Sequence, residues 1–364
     1  LVGSEMCIRD SRNRFCFWFR YSPALSHRVF ISKDSHRGQT TIDDWFDKSA
    51  SIFGNCFYDI SNNSNWCKDR PLDGPKTTQK NFWYFCFSYG FEYIEKSNLE
   101  LMDYYNENGW IKFSFDPKLD HWLKSIAKPT FNAIHDKENQ NEWLRCQGTW
   151  FAGVRALPND IHGSVKGGAK LDFDSSRWAL KMLGVKQISW DPAQISVCYP
   201  GYPKPGINES KSSFYYRLKK DAAHVDGLHP VGKNRNRMLR ERHAFILGIP
   251  VTTFSRKASP LVVWEGSHKI MKYYFKKVFA KIDPQAWKEY DFTKVYHNAR
   301  NEIFDSCKRV EIHATPGESY IVHRMALHGV APWDGRARSS KEGRVIVYFR
   351  PDMDLEPSSW LTRP

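Results

Sequence analysis

The sequence predicts a mainly β protein with flanking helices, whose strands form a jelly roll. Short strand-like runs lie at residues 150–156, 195–199, 244–254 and 261–264, separated by glycine and proline. These runs do not alternate with helical segments, which argues against a parallel α/β sheet. With 364 residues, of which 41% are hydrophobic, the chain is long enough to bury a large core, as one large domain or as one and a half domains.

Three stretches divide the chain. Residues 1–11 begin without Met and look like a translated adapter leader, so they are predicted to be non-native. Residues 12–100 are rich in aromatic residues, Asn, Ser and Asp, and the sequence leaves open their role and whether they pack on the core. Within them, residues 82–91 form an apolar run too short to cross a bilayer, which is either a core strand or a lid. Residues 101–364 carry the predicted jelly roll.

A helical stretch is predicted before the strands, from Leu99 to Ile134, with an interruption at Asn108-Gly109. Its apolar residues recur at helical spacing and are predicted to pack into the core rather than to contact a substrate. They are Leu99, Leu101, Met102, Tyr105, Leu119, Trp122, Leu123 and Ile126.

The motif with the clearest chemistry is His224-Val225-Asp226. Side chains at i and i+2 of an extended segment point to the same side, so this imidazole and carboxylate can bind one metal ion. His328 supplies a third ligand from far along the chain. Two His and one carboxylate with an open opposite face form the facial triad of non-haem Fe(II) oxygenases. Because the chain has thirteen His, roughly one His-x-Asp triplet is expected by chance, so a surface pair is the alternative interpretation.

The segments around these ligands favour a binding site. An aromatic stretch from Phe214 runs into Gly227 and Pro230, which predicts a strand end that opens into a loop. Functional groups concentrate in such loops. Residues 310–330 form two strand-like runs joined by a turn at residues 315–318.

Three histidines lie in that second segment. His328 is the favoured ligand because it ends the second run just before Gly329, where a side chain can reach the mouth of a cavity. His323 lies inside the predicted strand and is the alternative ligand. His313, like the other two, can instead be a hydrogen-bonded residue of the sheet.

Arg344 opens an apolar run over residues 343–350. An arginine at the start of a buried strand needs an anionic partner, and its planar guanidinium suits a carboxylate. A zinc hydrolase can use the same three ligands, but it has no evident use for a cation at this position. Because the loop between His328 and Arg344 is long, Arg336 and Arg338 are alternative anchors.

From about Asn108 to Pro351 the chain resembles the phytanoyl-CoA dioxygenase-like group of Fe(II)/2-oxoglutarate oxygenases. The resemblance rests on His224-Val-Asp226, Ser259-Pro-Leu-Val-Val-Trp-Glu-Gly-Ser-His268, Pro316-Gly-Glu, Leu327-His-Gly329 and Gly343-Arg-Val-Ile-Val-Tyr. It implies a double-stranded β-helix within residues 101–364, with His224, Asp226 and His328 on Fe(II). It also implies that Arg344 binds the distal carboxylate of 2-oxoglutarate.

The reaction implied by the resemblance is the hydroxylation of a small or medium organic molecule by dioxygen, with release of succinate and CO2. Related halogenases lack the carboxylate ligand, so Asp226 favours hydroxylation. Two other classes stay open: a cupin-type metal dioxygenase that needs no cosubstrate, and a non-catalytic jelly-roll binding protein. An intact ligand set argues against the binding protein, and Arg344 distinguishes the oxygenase from the cupin-type dioxygenase.

The formal net charge of +14 points to an anionic substrate or partner. Nucleic acid is not expected, because no recognition motif accompanies the charge. Residues 233–242 carry a basic cluster that is either a solvated face or a lid for an anionic substrate, with Arg237 and Arg240 as candidate contacts. Eight Cys without a C-x-x-C pair, and no secretory or membrane segment, predict a cytoplasmic protein with reduced thiols. The oligomeric state is not predicted.

Overall fold

The computed structural model describes residues 99–352 and 357–363, together with the backbone of five strands nearer the N-terminus. The chain divides into two compact units, Leu1–Glu92 and Tyr93–Pro364. The predicted divisions at residues 11 and 100 stay predictions. Residues 82–91, predicted as a core strand or a lid, lie outside the described residues.

The strands of the first unit form two small antiparallel sheets. One has the order β1-β2-β3, and the other is the pair β4-β5. The strands are β1 (Gly3–Arg9), β2 (Arg14–Ser22), β3 (Leu25–Lys33), β4 (Cys56–Asp59) and β5 (Ser64–Cys67).

The second unit is built on a seven-stranded antiparallel sheet of order β6-β15-β12-β17-β9-β8-β7. A smaller antiparallel sheet has the order β14-β13-β16, and β10 pairs with β11. The strands are β6 (Trp110–Phe113), β7 (Leu144–Arg145), β8 (Trp150–Gly153), β9 (Gln194–Cys198), β10 (Leu228–Val231), β11 (Asn236–Leu239), β12 (Phe245–Pro250), β13 (Leu261–Trp264), β14 (Arg309–Ile312), β15 (Ser319–His323), β16 (His328–Val330) and β17 (Arg344–Phe349). The predicted β core with flanking helices is confirmed, although the sheets do not close into a barrel.

Helices flank these sheets. Residues 99–108 are helical, and the other helices are Pro117–His135, Lys137–Trp143, Asp174–Leu183, Lys211–Lys219, Ser267–Phe279, Thr293–Ser306 and Pro357–Thr362, with a 3-10 turn at Pro284–Glu289. None of the helices in the described ranges is long and apolar enough to cross a bilayer. Three thiols among the described side chains, those of Cys146, Cys198 and Cys307, are free.

The predicted helical stretch from Leu99 to Ile134 is two helices separated by the strand β6, which the prediction missed. The first helix ends before Gly109, whose φ of 78° suits glycine. The second begins where Asp116 accepts a hydrogen bond from the Lys118 amide at 2.7 Å. Most of the predicted packing residues are buried or half-buried, but Leu99 is exposed and its predicted packing is wrong.

The aromatic stretch before the triplet, predicted as a strand, belongs to the helix Lys211–Lys219. Ser210 caps this helix by accepting a hydrogen bond from the Ser213 amide at 3.2 Å. The β preference of Phe214 and the two following tyrosines is therefore overridden by local capping. No side chain of this helix is buried, so it lies at the surface.

The two runs of residues 310–330 flank the predicted turn, in which the Glu318 amide donates to the Thr315 carbonyl at 2.9 Å. They do not pair with each other, because β14 pairs with β13 while β15 pairs with β12 and β6. The segment therefore crosses from the small sheet to the large one. The second run ends at His323, and His328 begins the separate strand β16, so the premise that His328 ends that run is wrong.

Side chains alternate between the two faces of the large sheet. Along β17, Val345 and Val347 belong to the main apolar core, while Ile346 and Tyr348 belong to a second cluster that includes residues of the small sheet. Because alternate residues of a strand share a face, Arg344 lies on the side of Ile346 and Tyr348. The second cluster thus lies where the two sheets face each other.

Candidate metal centre

Three side chains converge at the edge of the small sheet. The Asp226 Oδ1 atom lies 3.3 Å from His224 Nε2 and 3.8 Å from His328 Nε2. Among the described residues, this is the one group of three or more His, Cys, Asp or Glu whose ligand atoms all lie within 4.8 Å of one another. The structure thus brings together the three residues that the sequence predicts as ligands.

Backbone pairing positions the two histidines. The His224 amide donates to the His328 carbonyl at 2.8 Å, and the His328 amide donates to the His224 carbonyl at 3.0 Å. Gly329 permits this close approach, since a Cβ there would lie 2.1 Å from the carbonyl oxygen of Asp221. On the other side, the Tyr216 hydroxyl donates to the Ala223 carbonyl at 2.7 Å. The start of the triplet is therefore held by hydrogen bonds to two different elements.

The imidazole rings are oriented for coordination. His224 Nδ1 lies 2.9 Å from the Ala222 carbonyl oxygen, and His328 Nδ1 lies 2.9 Å from that of Ala326. A carbonyl only accepts, so each Nδ1 carries the hydrogen and each Nε2 presents its lone pair. This outer contact is the one that metal-binding histidines typically make.

The protonation states also suit a cation. Burial lowers the pKa of His328 to about 4, so this ring is neutral at physiological pH. Burial alone would raise the pKa of Asp226, but Arg350 and the two histidines hold it well below the usual range. For His224, desolvation lowers the pKa, but the hydrogen bond and the charge of Asp226, together with the Ala222 carbonyl, raise it above the usual value. The set therefore offers one carboxylate and at least one neutral imidazole.

The donor set fits a divalent metal ion. Neighbouring ligands with bonds of about 2.1 Å around an octahedral ion lie about 3 Å apart, close to the separations found here. The His224 side chain is half exposed, whereas those of Asp226 and His328 are nearly buried. The centre therefore opens to solvent on the His224 side, which leaves room for further ligands.

Arg344 lies buried on the face of the large sheet that looks toward the small sheet, with 1% of its surface exposed. Its Nη2 donates to the Tyr348 hydroxyl at 3.3 Å, while its Nε and Nη1 have no hydrogen-bond partner among the residues that the structure describes. Within the described part of the chain, no carboxylate pairs with it. A guanidinium buried in this way is costly unless an anion binds to it.

A second unpaired donor lies in the same region. Ser259 is fully buried, and no described residue provides a hydrogen-bond partner for its hydroxyl. Both Ser259 and Arg344 adjoin the thiol of Cys198, whose pKa burial raises to about 11. Tyr348 in turn accepts a hydrogen bond from the Tyr320 hydroxyl at 3.0 Å. Ser259 belongs to one of the motifs that carry the family resemblance, but only the fold brings it beside Arg344.

The alternative candidates lie elsewhere. His323 is buried against His268, and its Nδ1 accepts from the Met325 amide at 3.0 Å, so it is not part of the ligand group. His313 Nε2 lies 3.0 Å from the Phe254 carbonyl oxygen. Arg336 and Arg338 are exposed. Whether any of these takes part in binding stays a prediction to be tested.

The two candidate arginines of the basic cluster contact other protein groups. The Arg237 guanidinium lies 5.9 Å from the Tyr296 ring centroid and donates to the Leu228 carbonyl at 3.4 Å. Arg240 pairs with Glu289 at 3.2 Å. Part of the positive charge is therefore neutralised by protein groups, and a role for either arginine in substrate binding stays a prediction.

Arg350 is a residue near the centre that the sequence analysis missed. Its Nη1 donates to Asp226 Oδ2 at 3.4 Å, and its amide donates to Asp191 Oδ1 at 2.8 Å. Arg344 and Arg350 are an even number of residues apart along β17 and its continuation, which is the one signal that places both on the same face.

Comparison with known proteins gives structural similarity only. No protein-family model matches the sequence, and no curated protein matches it. The carbocyclase SnoK from nogalamycin biosynthesis, described as non-heme and alpha-ketoglutarate dependent, is 13% identical, with a TM-score of 0.36 over 70% of this chain and 83% of its own. The epimerase SnoN from the same biosynthesis is 12% identical, with a TM-score of 0.39 over 70% and 84%. EctD from S. alaskensis, with bound Fe, is 13% identical, with a TM-score of 0.35 over 68% and 74%. At this level of similarity, what those proteins bind says nothing about this chain.

Proposed function

We propose that this protein is an Fe(II)- and 2-oxoglutarate-dependent dioxygenase of the phytanoyl-CoA dioxygenase-like kind, which hydroxylates a small or medium organic substrate. The observation that carries the proposal is the pairing of two features in one fold. His224, Asp226 and His328 present three ligand atoms toward one point. Arg344 is buried with two donor nitrogens unpartnered.

The ligand set supports iron. Two imidazoles and one carboxylate with open positions form the arrangement found in non-haem Fe(II) oxygenases, and three free positions admit a bidentate 2-oxo acid and dioxygen. The two antiparallel sheets support a double-stranded β-helix as the underlying fold, as in the family that the sequence resembles. The carboxylate ligand Asp226 favours hydroxylation over halogenation.

Arg344 supports 2-oxoglutarate as cosubstrate. A bidentate pair between its guanidinium and the distal carboxylate would satisfy the unpartnered Nε and Nη1. The buried hydroxyl of Ser259 would donate to the same carboxylate, and Tyr348 would fix the orientation of the guanidinium. A cupin-type dioxygenase that needs no cosubstrate has no use for these donors, and the intact ligand set argues against a non-catalytic binding protein.

In this proposal, different residues bind the metal and the cosubstrate. His224, Asp226 and His328 hold the metal, and Arg344 with Ser259 holds the far end of the cosubstrate. Bound iron with 2-oxoglutarate would activate dioxygen, so that one oxygen atom enters succinate, with loss of CO2, and the other enters a C–H bond of the substrate. We further propose an anionic substrate, with Arg237 and Arg240 at the pocket mouth, a cytoplasmic location, and residues 101–364 as the oxygenase domain.

The test is reconstitution with Fe(II) in the absence of oxygen, followed by addition of 2-oxoglutarate and then air. Succinate formation that requires both Fe(II) and 2-oxoglutarate supports the proposal, even at the slow rate expected without the true substrate. Oxygen consumption with Fe(II) but no 2-oxoglutarate would instead identify a cosubstrate-independent dioxygenase. Binding of neither Fe(II) nor 2-oxoglutarate would leave the binding-protein alternative.

A further inference from the structure

We infer that Arg350 is a positioning residue of the metal centre, which binds the outer oxygen of Asp226 and thereby leaves a single oxygen to face the metal. The inference rests on the proposed function, in that it takes His224, Asp226 and His328 as the ligands. It adds a residue that lies in none of the motifs through which the sequence resembles its family.

The two oxygens of Asp226 have different partners. Oδ1 lies 3.3 Å from His224 Nε2 and 3.8 Å from His328 Nε2, while Oδ2 lies 3.4 Å from Arg350 Nη1. The carboxylate is therefore oriented, with one oxygen toward the histidines and the other toward the cation. The last torsion of an Asp side chain is intrinsically broad, so this orientation depends on the contacts made by the oxygens.

The orientation has a consequence for coordination. A carboxylate free to rotate can chelate a metal ion through both oxygens and so occupy a position that a facial triad keeps open. A charge-assisted hydrogen bond from Arg350 to Oδ2 competes with that second bond. The guanidinium thus preserves the three open positions that a bidentate cosubstrate and dioxygen require.

Arg350 is itself held in place. It follows the last residue of β17, and its amide donates to Asp191 Oδ1 at 2.8 Å. Its side chain is only 19% exposed, and its Nε is buried without a hydrogen-bond partner. With its backbone fixed at the end of the central strand and its stem buried, the guanidinium has little freedom to leave Asp226.

The chain offers a matched control in Arg309. This arginine pairs with Asp221 through two hydrogen bonds, of 2.7 and 2.9 Å. Asp221 lies on the segment that leads into the triplet. Asp221 is not a ligand, so Arg309→Gln removes an arginine–carboxylate pair near the centre without releasing Asp226. The Arg309→Gln variant therefore reports a general loosening of the segment, whereas the Arg350 variants report the loss of carboxylate orientation.

The experiment is a spectroscopic titration of the purified protein with Co(II), whose visible absorption bands report both affinity and coordination number. We expect Arg350→Gln to weaken Co(II) binding about 10- to 100-fold, the range typical for outer-shell partners, and to change the band shape. Arg350→Lys should restore most of the affinity, and Arg309→Gln should match the wild type. Arg350→Met, which keeps the stem but carries no donor, serves the same test if the glutamine variant does not fold.

The outcomes separate this inference from the proposed function. Unchanged affinity and spectrum in Arg350→Gln or Arg350→Met, or an equal loss in Arg309→Gln, overturns the inference and leaves the oxygenase proposal standing. If the Arg350 variants change Co(II) binding as expected but the wild-type protein forms no succinate from 2-oxoglutarate, the oxygenase proposal is overturned and the inference stands. A wild-type protein that binds no Co(II) overturns both.

Discussion

Two pairs of histidines in this molecule have nearly the same ring spacing and different chemistry. The rings of His224 and His328 are 4.6 Å apart, and those of His268 and His323 are 4.7 Å apart. The first pair shares a carboxylate, Asp226, whereas no acidic side chain among the described residues bonds to the rings of the second pair. Ring proximity alone therefore does not make a metal site.

The hydrogen bonds explain the difference. In the first pair each Nδ1 binds a carbonyl and each Nε2 faces Asp226. In the second pair, His323 Nδ1 already accepts from the Met325 amide, and His268 Nε2 lies 3.0 Å from the Asn106 carbonyl oxygen. Burial holds the pKa of both His268 and His323 below the usual range. The second pair is thus a neutral packing unit, whereas the first has the arrangement expected of a ligand set.

The largest effect should come from removing one ligand. In the proposed site, His328→Ala deletes one of three metal bonds, so we expect Co(II) affinity to fall more than ~100-fold, beyond the range for outer-shell changes. Isothermal titration calorimetry measures this directly. The matched change in the other pair, His323→Ala, should leave the affinity within a few-fold of the wild type. If the two results are exchanged, the ligand assignment is wrong and His323 is the ligand.

The next effect concerns the cosubstrate. In the proposed complex with 2-oxoglutarate, Arg344→Ala removes one partner of a buried charge pair, a change that typically costs ~2–5 kcal/mol, and should raise the Kd for 2-oxoglutarate accordingly. Because Arg344 does not touch the ligands, Co(II) affinity should stay unchanged. Arg336→Ala and Arg338→Ala are the controls, and both should leave 2-oxoglutarate binding intact. A strong loss in either control variant would move the anchor into the long loop.

A smaller effect should appear in the pH dependence of stability. Burial lowers the pKa of His268 from 6.5 to about 4, so the unfolded state binds this proton more readily than the folded state. The stability that this group contributes is present above its unfolded pKa and declines as the pH falls from about 6.5 toward 4, by at most ~1.4 kcal/mol per pH unit. Urea unfolding of the metal-free protein at pH 7 and pH 5 measures the change.

His268→Gln is the variant that isolates this contribution. Its amide can still donate to the Asn106 carbonyl but does not titrate. The difference in free energy of unfolding between pH 7 and pH 5 should therefore be smaller in this variant than in the wild type. An identical difference in both proteins would mean that His268 is solvated in the folded state.

Sequence patterns predicted the site wherever the signal is local. His224 and Asp226 share a side of the chain because they are two residues apart, and Arg344 is a charge at the start of an apolar strand. His328 was chosen over His323 for a partly mistaken reason, since β15 ends at His323. What marks His328 is Gly329, which lets the segment of Asp221 approach closely.

The features that the sequence did not predict depend on contacts between residues far apart in the chain, which no local pattern contains. Arg350 is 124 residues from Asp226 in sequence, and Ser259 reaches the region of Arg344 only through the facing of two sheets. The runs at β14 and β15 look like a hairpin in sequence, but each finds its partner in a different sheet. Similarly, Ser210 turns an aromatic, strand-like stretch into a helix.

The smallest effect should concern the charge of the substrate. Arg240 already pairs with Glu289 and Arg237 lies over Tyr296, so these two arginines should attract an anionic substrate only modestly. For organic acids that support succinate formation, we expect the double change Arg237→Gln and Arg240→Gln to lower kcat/KM a few-fold at low salt. The effect should shrink as ionic strength rises and the screening length falls to about 8 Å. With the corresponding amides as substrates, the double variant should show no such loss. With the acids as substrates, the control variant with Arg336→Gln and Arg338→Gln should also show no loss. Equal turnover of acids and amides at every salt concentration would mean that the basic cluster is only a solvated face of the protein.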